Sequence, residues 1–568
     1  MERFAKKLKF FREDIMHKDK LKPMLFSTMK SYNGKQFVTD LISGLIVAII
    51  ALPLSIALAL ASGVGPEEGI YTAIVAGFII SFLGGSRVQI AGPTAAFATI
   101  VAGIVAKSGM EGLMLATIVA GVLLILMGVC RLGGLIRFIP YTITTGFTSG
   151  IAVTILIGQI KDFLGLTYPK GTATIETIDK LKAIAFNIST TNLSALLVGV
   201  VCLAILIVWP KVSEKIPGSL IAVIVGILMV KFLNLPVNTI GDLYTIRSGL
   251  PTFHMPVFSF QAIREVFPDG FTIAILAAIE SLLSCVVADS MINSHHRSNM
   301  ELIAQGCGNI GSALFGGIPA TGAIARTAAN IKNGGRTPIA GIVHALVLIL
   351  VLVVLMPYAA LIPMPTIAAI LFMVAYNMCQ WRTFVHLCKT APKSDIIVLV
   401  TTFGLTVVFD LVVAIEIGML MAVLLFMKRM SEESQITGWK RYDMEDDPDG
   451  TTLKPIPANV RVYEISGPMF FGDADRIAAI SYKETTKAII LRMRGVPALD
   501  ATAMHSLNQF HDKCKEQGIR LIFSHVNEQP MRTMEKDGFI EKVGKENFRP
   551  HIDDAIAWSG EVVKQNKE

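Results

Sequence analysis

Phe271–Ser290 reads FTIAILAAIESLLSCVVADS, an apolar run long enough to cross a bilayer. Up to Ala288 its only charge is Glu280. Ionising a carboxylate at membrane depth is costly. Such residues face protein or water and usually serve an ion pathway. Ser281 and Ser284 flank Glu280, and Ser284 lies one turn away on the same helical face.

Outward from this run, similar stretches recur between Phe37 and Met427. They fall at about 37–62, 69–83, 93–107, 112–130, 136–159, 193–209, 218–235, 271–290, 301–315, 322–332, 337–356, 360–379, 395–410 and 411–428. About fourteen segments point to a polytopic α-helical membrane protein. The chain of 568 residues is 52% hydrophobic and only 17% charged, below the quarter usual for soluble domains. The residues after Ser431 are polar and charged, so the chain divides into a membrane part and a soluble C-terminal part.

The net charge is +7. Lys and Arg crowd the first 22 positions, from Arg3 to Lys22. With no apolar region behind the first Met, this reads as a cytoplasmic juxtamembrane segment rather than a nucleic-acid arm or a cleaved signal. With both termini inside, the basic links Arg131–Arg137, Lys211–Lys215, His295–Arg297, Lys332–Arg336 and Arg382–Lys393 all fall inside. The link Gly63–Gly69 carries Glu67 and Glu68 and falls outside, as does the uncharged Met356–Pro365.

Two segments depart from ordinary spans. One runs from Gln89 as QIAGPTAAFATIVAGIVA, the other from Ile318 as IPATGAIARTAANI. Each is rich in Ala and Thr and interrupted by Gly and Pro. Each follows a similar element, FLGG at Phe82–Gly85 and LFGG at Leu314–Gly317. They are the third and tenth segments, at one place in two sevenfold halves. Matched broken segments are the best sequence pointer to a transporter's binding site, although small residues also serve plain helix packing. An extended piece followed by a half-helix leaves free N–H groups and about half a positive charge near the midplane. Pro93 suits a first turn. Two such ends form an anion site. Arg326, just inside the second half-helix, adds a full charge and should face the anion or a carboxylate. Burial favours the neutral form of Glu280, so it can carry a proton. Its neutralisation favours anion entry, the logic of proton–anion symport. The plainer role is a structural carboxylate held by Arg326 or a serine.

These residues carry a family resemblance. Ala51–Gly77 (ALPLSIALALASGVGPEEGIYTAIVAG), Gly84–Phe97 (GGSRVQIAGPTAAF), Ala278–Asp289 (AIESLLSCVVAD) and Asn299–Ile331 resemble the motifs of the SulP (sulfate permease) anion transporters. Gln159–Leu166, with AIESLL and ATGAIARTAAN, resembles the bacterial proton-coupled C4-dicarboxylic acid branch. The resemblance implies two inverted seven-span repeats, a core moving against a gate, a homodimer and a cytoplasmic STAS domain in a bacterial inner membrane. It assigns substrate contact to Thr94, Ala95, Ala96, Ala323, Ile324, Ala325 and Arg326, and the coupling carboxylate to Glu280. Leu54 and Leu58 stand where relatives carry Gln and an aromatic, and Ile324 replaces a hydroxyl of the sodium–bicarbonate branch. With one oxygen ligand fewer, a sodium site is weakened.

After Pro457, strand and helix patterns alternate. Val460–Ile465, Lys487–Met493 and Ile519–Ser524 read as strands. Ala501–Gly518, Glu528–Gly538 and His551–Gln565 read as helices, the first capped by Asp500 and ended by Gly518. This is a small α/β domain resembling STAS. The usual phosphoserine position is Ala501; the neighbouring Thr502 reads as a first-turn packing residue. The divisions are therefore an N-terminal segment 1–36, a transport domain 37–430, a linker 431–456 and a STAS domain 457–568.

The seven Cys show no metal or redox spacing and read as free thiols. His295 and His296 read as polar loop residues without a third ligand. There is no P-loop. The sequence thus points to a secondary active anion transporter without cofactor or metal, not an enzyme, for a C4-dicarboxylate or sulfate-like oxyanion. The alternatives are a bicarbonate or chloride exchanger, an uncoupled channel, or a membrane-anchored STAS scaffold for a cytoplasmic protein.

Overall fold

The computed structural model describes residues 21–134, 140–169, 172, 176–212, 217–244, 249–409, 411–433, 435–438, 456–470, 477 and 480–565. The basic run Arg3–Lys20, Arg137, Lys215 and the acidic Asp443–Asp449 lie outside them. The chain divides into two compact units, Met1–Met419 and Leu420–Glu568.

In the first unit, α1 (Gly34–Ala61) opens at Asn33, whose side chain accepts the Gln36 amide at 2.9 Å. α2 (Pro66–Leu83) opens on a proline, with Glu67 and Glu68 in its first turn, which suits the positive end of the helix. A two-residue strand, β1 (Ala91–Gly92), leads into α3 (Ala95–Val129). Then come α4 (Tyr141–Leu164), α5 (Thr177–Asn187), α6 (Leu193–Val212) and α7 (Gly218–Leu233). The second half repeats the pattern: α8 (Phe260–Ile292), α9 (Ser298–Leu314), β2 (Thr321–Gly322) and α10 (Ile324–Lys332). It continues through α11 (Ile339–Ala359), α12 (Met364–Cys379), α13 (Trp381–Thr390) and α14 (Lys393–Val408), and α15 (Leu411–Glu433) runs across the boundary between the two units.

Each apolar segment read from the sequence contains a helix among the described residues, although the one at 322–332 begins in β2. The segments at 93–107 and 112–130 run together as α3, which kinks at Gly109, where φ is 67° and ψ −170°. Among the described residues, eight helices are long and apolar enough to cross a membrane. Others are shorter, such as α9 with 17 residues and α10 with 9. Two helices of ten or more residues, α5 and α13, went unread because their polar residues break up any continuous apolar run. Close backbone approach joins α3 to α9. A Cβ on Gly306 would lie 2.4 Å from the Gly121 carbonyl oxygen, and one on Gly121 2.7 Å from that of Gly306.

The second unit is built on a five-stranded sheet in the order β3-β4-β5-β6-β7. These strands are Gln435–Gly438, Val460–Ser466, Ala488–Gly495, Arg520–Ser524 and Phe548–Arg549. β3 is antiparallel to β4, and the other pairs are parallel. β3 falls inside the stretch read as linker; only four residues long, it carries no alternating apolar signal. Strand alternation sends Ile489, Leu491 and Phe523 to one face, packed with Leu507 and Phe510 of α16 (Ala501–Glu516). Ala488, Ile490 and Ile522 go to the other face, under α19 (Ile552–Gln565). Between them lie α17 (Glu528–Lys536) and α18 (Phe539–Val543). Asp500 caps α16 by accepting the Ala503 amide at 2.8 Å, and Gly518 follows its end at a φ of 67°.

Candidate functional site

The two broken segments meet. β1 and β2 pair antiparallel, Ala91 opposite Gly322 and Gly92 opposite Thr321. Thr94 and Ala323, both extended, are the N-cap residues of α3 and α10, and no side chain caps either helix. The first N–H groups of both helices therefore stay open to an acceptor, with the positive ends of two dipoles beside them. The Thr94 hydroxyl is turned elsewhere. Its Oγ1 donates to Glu280 Oε2 on α8 at 2.9 Å. That carboxylate is held by Thr94 rather than by Arg326 or a serine; Ser284 Oγ is buried without a partner.

α8 also anchors β2. Ser281 Oγ lies 2.6 Å from Thr321 Oγ1 and accepts the Gly322 amide at 3.1 Å. Strands this short leave many backbone groups without ladder partners, and buried side chains supply them. Asn309 on α9 donates to the Ala320 carbonyl at 2.8 Å and accepts the Ala320 amide at 2.9 Å. Asn330 on α10 donates to the Val88 carbonyl at 2.8 Å, and Thr327 Oγ1 accepts the Ile90 amide at 3.0 Å.

Arg326 is 1% exposed. Its Nη2 donates to Ser55 Oγ at 3.1 Å and to the Pro93 carbonyl at 3.3 Å, while Nε and Nη1 have no partner. The sequence placed this charge against an anion or a carboxylate; here it lies behind β1, on a hydroxyl and a carbonyl. Gln89 has the matching place behind β2. A Cβ on Gly322 would meet Gln89 Nε2 at 2.0 Å. Gln89 donates to Glu301 Oε1 at 2.9 Å and accepts from Cys285 Sγ at 2.7 Å. Glu301, fully buried, also takes the amides of Gly85 at 2.8 Å and Ser86 at 3.2 Å and the Gln305 side chain at 2.8 Å.

The other residues singled out by sequence spread around these ends. Ala95 and Ala96 are buried in the first turn of α3. Thr94, Ala323 and Leu54 are partly buried. Ile324 is 44% exposed and Ala325 is also exposed, whereas Leu58 at 2% lies within the packed interior. Sequence reasoning missed Ser55, Gln89, Glu301, Asn309, Asn330 and His344. His344 on α11 is buried with neither ring nitrogen partnered. The only signal was a lone polar residue in an apolar helix, which says that a partner exists but not where.

The family model described as "Sulfate permease family" matches residues 37–402, and that of the STAS domain matches 452–555. The chain belongs to the sulfate permease family. It is 39% identical over 530 residues to the "Putative sulfate transporter YvdB" of Bacillus subtilis, covering 92% of this chain and 98% of that protein. It is 32% identical over 523 residues to the bicarbonate transporter BicA of a Picosynechococcus species, covering 89% and 91%. The solved transmembrane domain of a cyanobacterial BicA superposes with a TM-score of 0.60 at 30% identity, over 69% of this chain and 98% of that one. Murine solute carrier 26 family member A9, at 20% identity, shares the fold with a TM-score of 0.84 over 95% and 94%. This family member is thus a multi-pass membrane protein with a C-terminal STAS domain, and its relatives are transporters rather than enzymes.

Proposed function

We propose that this protein is a secondary active transporter that moves a small dicarboxylate or sulfate-like oxyanion together with protons. The observation that carries the reading is the hydrogen bond between Thr94, at the start of α3, and Glu280. It places an ionisable group against one of two uncapped helix ends. An anion between those ends gains from N–H groups and helix dipoles alike. A carboxylate charge there opposes it, so loading a proton on Glu280 and loading the anion favour each other. Thr94, Ala95 and Ala96 form one wall of the site and Ala323, Ile324 and Ala325 the other. Arg326 contributes charge from behind β1, and Leu54 lies at the margin. The boundaries given above, inside termini, an inner-membrane location and a homodimer with STAS contacts belong to the same proposal, on the strength of the basic links and the separately folded tail.

Uptake by purified protein in proteoliposomes, with a panel of anions under imposed proton or sodium gradients, tests it. Glu280→Gln should abolish accumulation driven by a pH difference while anion exchange continues. A mutant that still concentrates substrate under that gradient removes Glu280 from coupling. The likeness to BicA over nearly the whole chain favours a second reading, in which bicarbonate is carried. The same panel separates the two.

A further inference from the structure

A second cationic site lies away from the paired strands, where α8 ends at Ile292 and α9 begins at Ser298. Arg87, His295, His296, Arg297 and Arg336 line a cavity of about 410 Å³ together with the Asn293–Ser294 turn, and no carboxylate is among the lining residues. Arg297 is 5% exposed. Its Nη1 donates to the carbonyls of Lys22 at 2.7 Å and Pro23 at 3.3 Å, and its Nη2 to Ser27 Oγ at 2.9 Å. Its Nε is buried and has no partner. Arg87 is exposed, has no hydrogen bond or ion pair within the described residues, and lies close enough to Arg297 for the two charges to repel.

Like charges brought together without a counterion are unfavourable, and all the more so where one of them is fixed and desolvated. Three acids lie nearby, and none is paired with Arg87 or Arg297 among the described residues: Glu301 takes the Gly85 and Ser86 amides, Asp40 takes the Arg336 amide at 2.9 Å, and Asp289 is held by His296. Asp289 accepts the His296 amide at 2.8 Å and lies 2.7 Å from His296 Nδ1, while His296 Nε2 lies 3.0 Å from Ser298 Oγ. Arg336 is held from behind, its Nη1 donating to the carbonyls of Ile331 and Gly335, both at 2.8 Å. The first turn of α9, whose N-cap is Arg297 without a side-chain cap, adds its dipole. We propose that this pocket binds a phosphate group, offered by the headgroup of an anionic phospholipid or by a free phosphate. Planar guanidinium groups match phosphate oxygens in pairs. The pocket sits at the end of a helix long enough to span the bilayer, the level at which basic pockets meet lipid headgroups. The proposal stands independently of the transport reading, because none of these residues borders β1 or β2.

The test uses the full chain and its Arg87→Gln variant, chosen because Arg87 holds no other part of the fold. Lys389→Gln, on the exposed last turn of α13, is the charge-matched control. One arm titrates inorganic pyrophosphate calorimetrically against protein in detergent. The other releases protein from mixed phosphatidylcholine–phosphatidylglycerol nanodiscs and counts retained phosphatidylglycerol by native mass spectrometry. Loss of retained lipid in Arg87→Gln alone identifies a headgroup site. A loss of about tenfold or more in pyrophosphate affinity in that variant alone identifies a soluble ligand. Wild-type behaviour of Arg87→Gln in both arms, or an equal loss in Lys389→Gln, overturns the proposal.

Discussion

A methyl group placed on Gly92 would sit 2.2 Å from Nη1 of Arg326. The strand that opens the first broken segment therefore lies directly against the charge carried by the second. Gly92→Ala should push the guanidinium off Ser55 and Pro93 or separate β1 from β2. Gly92 is not in a left-handed conformation, so the backbone itself tolerates Ala and the damage is confined to the contact. Uptake should fall at least about tenfold, the scale of one lost charge-assisted hydrogen bond. Membrane insertion and the gel-filtration profile should persist. Full uptake by Gly92→Ala would mean that the guanidinium position does not matter to transport.

Ser281 tests the other strand. Its hydroxyl serves both Thr321 Oγ1 and the Gly322 amide in a fully buried place. Ser281→Ala leaves that amide without an acceptor, at a cost of about 1–3 kcal/mol. The expected outcome is a lower unfolding midpoint in detergent and slower uptake. Glu280→Gln, which keeps its hydrogen-bonding capacity, should change coupling with a smaller change in midpoint. An unchanged midpoint in Ser281→Ala would show that β2 is held by its pairing to β1 alone.

The contacts that make this site span the chain, which explains what the sequence could and could not disclose. Thr94 and Glu280 are 186 positions apart, Gln89 and Glu301 212, Ser55 and Arg326 271, Ser43 and Asn330 287. The broken segments were legible because Gly and Pro interrupt apolar runs at matching places, a local signal. Glu280 was legible because it stands alone among apolar residues. The partners were not, because a serine or asparagine in a membrane helix carries no record of which distant backbone it satisfies. Glu301 was passed over at the edge of its apolar run, although it is fully buried and collects four donors, three from Gly85–Gln89 and one from Gln305 on its own helix. In the soluble unit, β4, β5 and β6 were readable to within about two residues from their runs of β-branched and apolar residues, while the short β3 and β7 were not.

The soluble domain should lose stability in mild acid through His511. Its ring packs edge-on against Phe539, with neither ring nitrogen partnered. Burial, followed by the charge of Lys542, holds its pKa below the ordinary value of 6.5. The folded domain thus keeps His511 neutral where the unfolded chain binds a proton. Stability is full above the unfolded value of about 6.5 and declines as pH falls from there toward the folded value. Hydrogen exchange of the β6 amides in the full chain, corrected for intrinsic rates, should show protection falling through this window. His511→Phe should flatten that dependence. An equal slope in the variant would assign the effect to other groups.

In the proposed transport reading, substrate choice rests on the apolar positions around the helix ends. Two helix ends at about half a charge each, with Arg326, amount to about two positive charges. That balances a divalent anion when Glu280 carries a proton, and a monovalent one when it does not. Ile324 is the accessible apolar side chain at the start of α10, whereas Leu58 is sealed in the interior. An apolar contact suits the two-carbon centre of a C4-dicarboxylate better than the hydrated face of sulfate, whose oxygens lose water there without gaining a donor. Fumarate or succinate should therefore bind more tightly than sulfate, with a larger margin at acidic pH. Ile324→Thr offers a hydroxyl in place of an ethyl group and should narrow the margin by about tenfold, the scale of one polar contact in a small-ligand pocket. Equilibrium binding of the three anions at two pH values, for wild type and variant, measures both effects. Tighter sulfate binding at both pH values in the wild type would end the dicarboxylate assignment and leave anion transport through the paired helix ends to be tested by uptake.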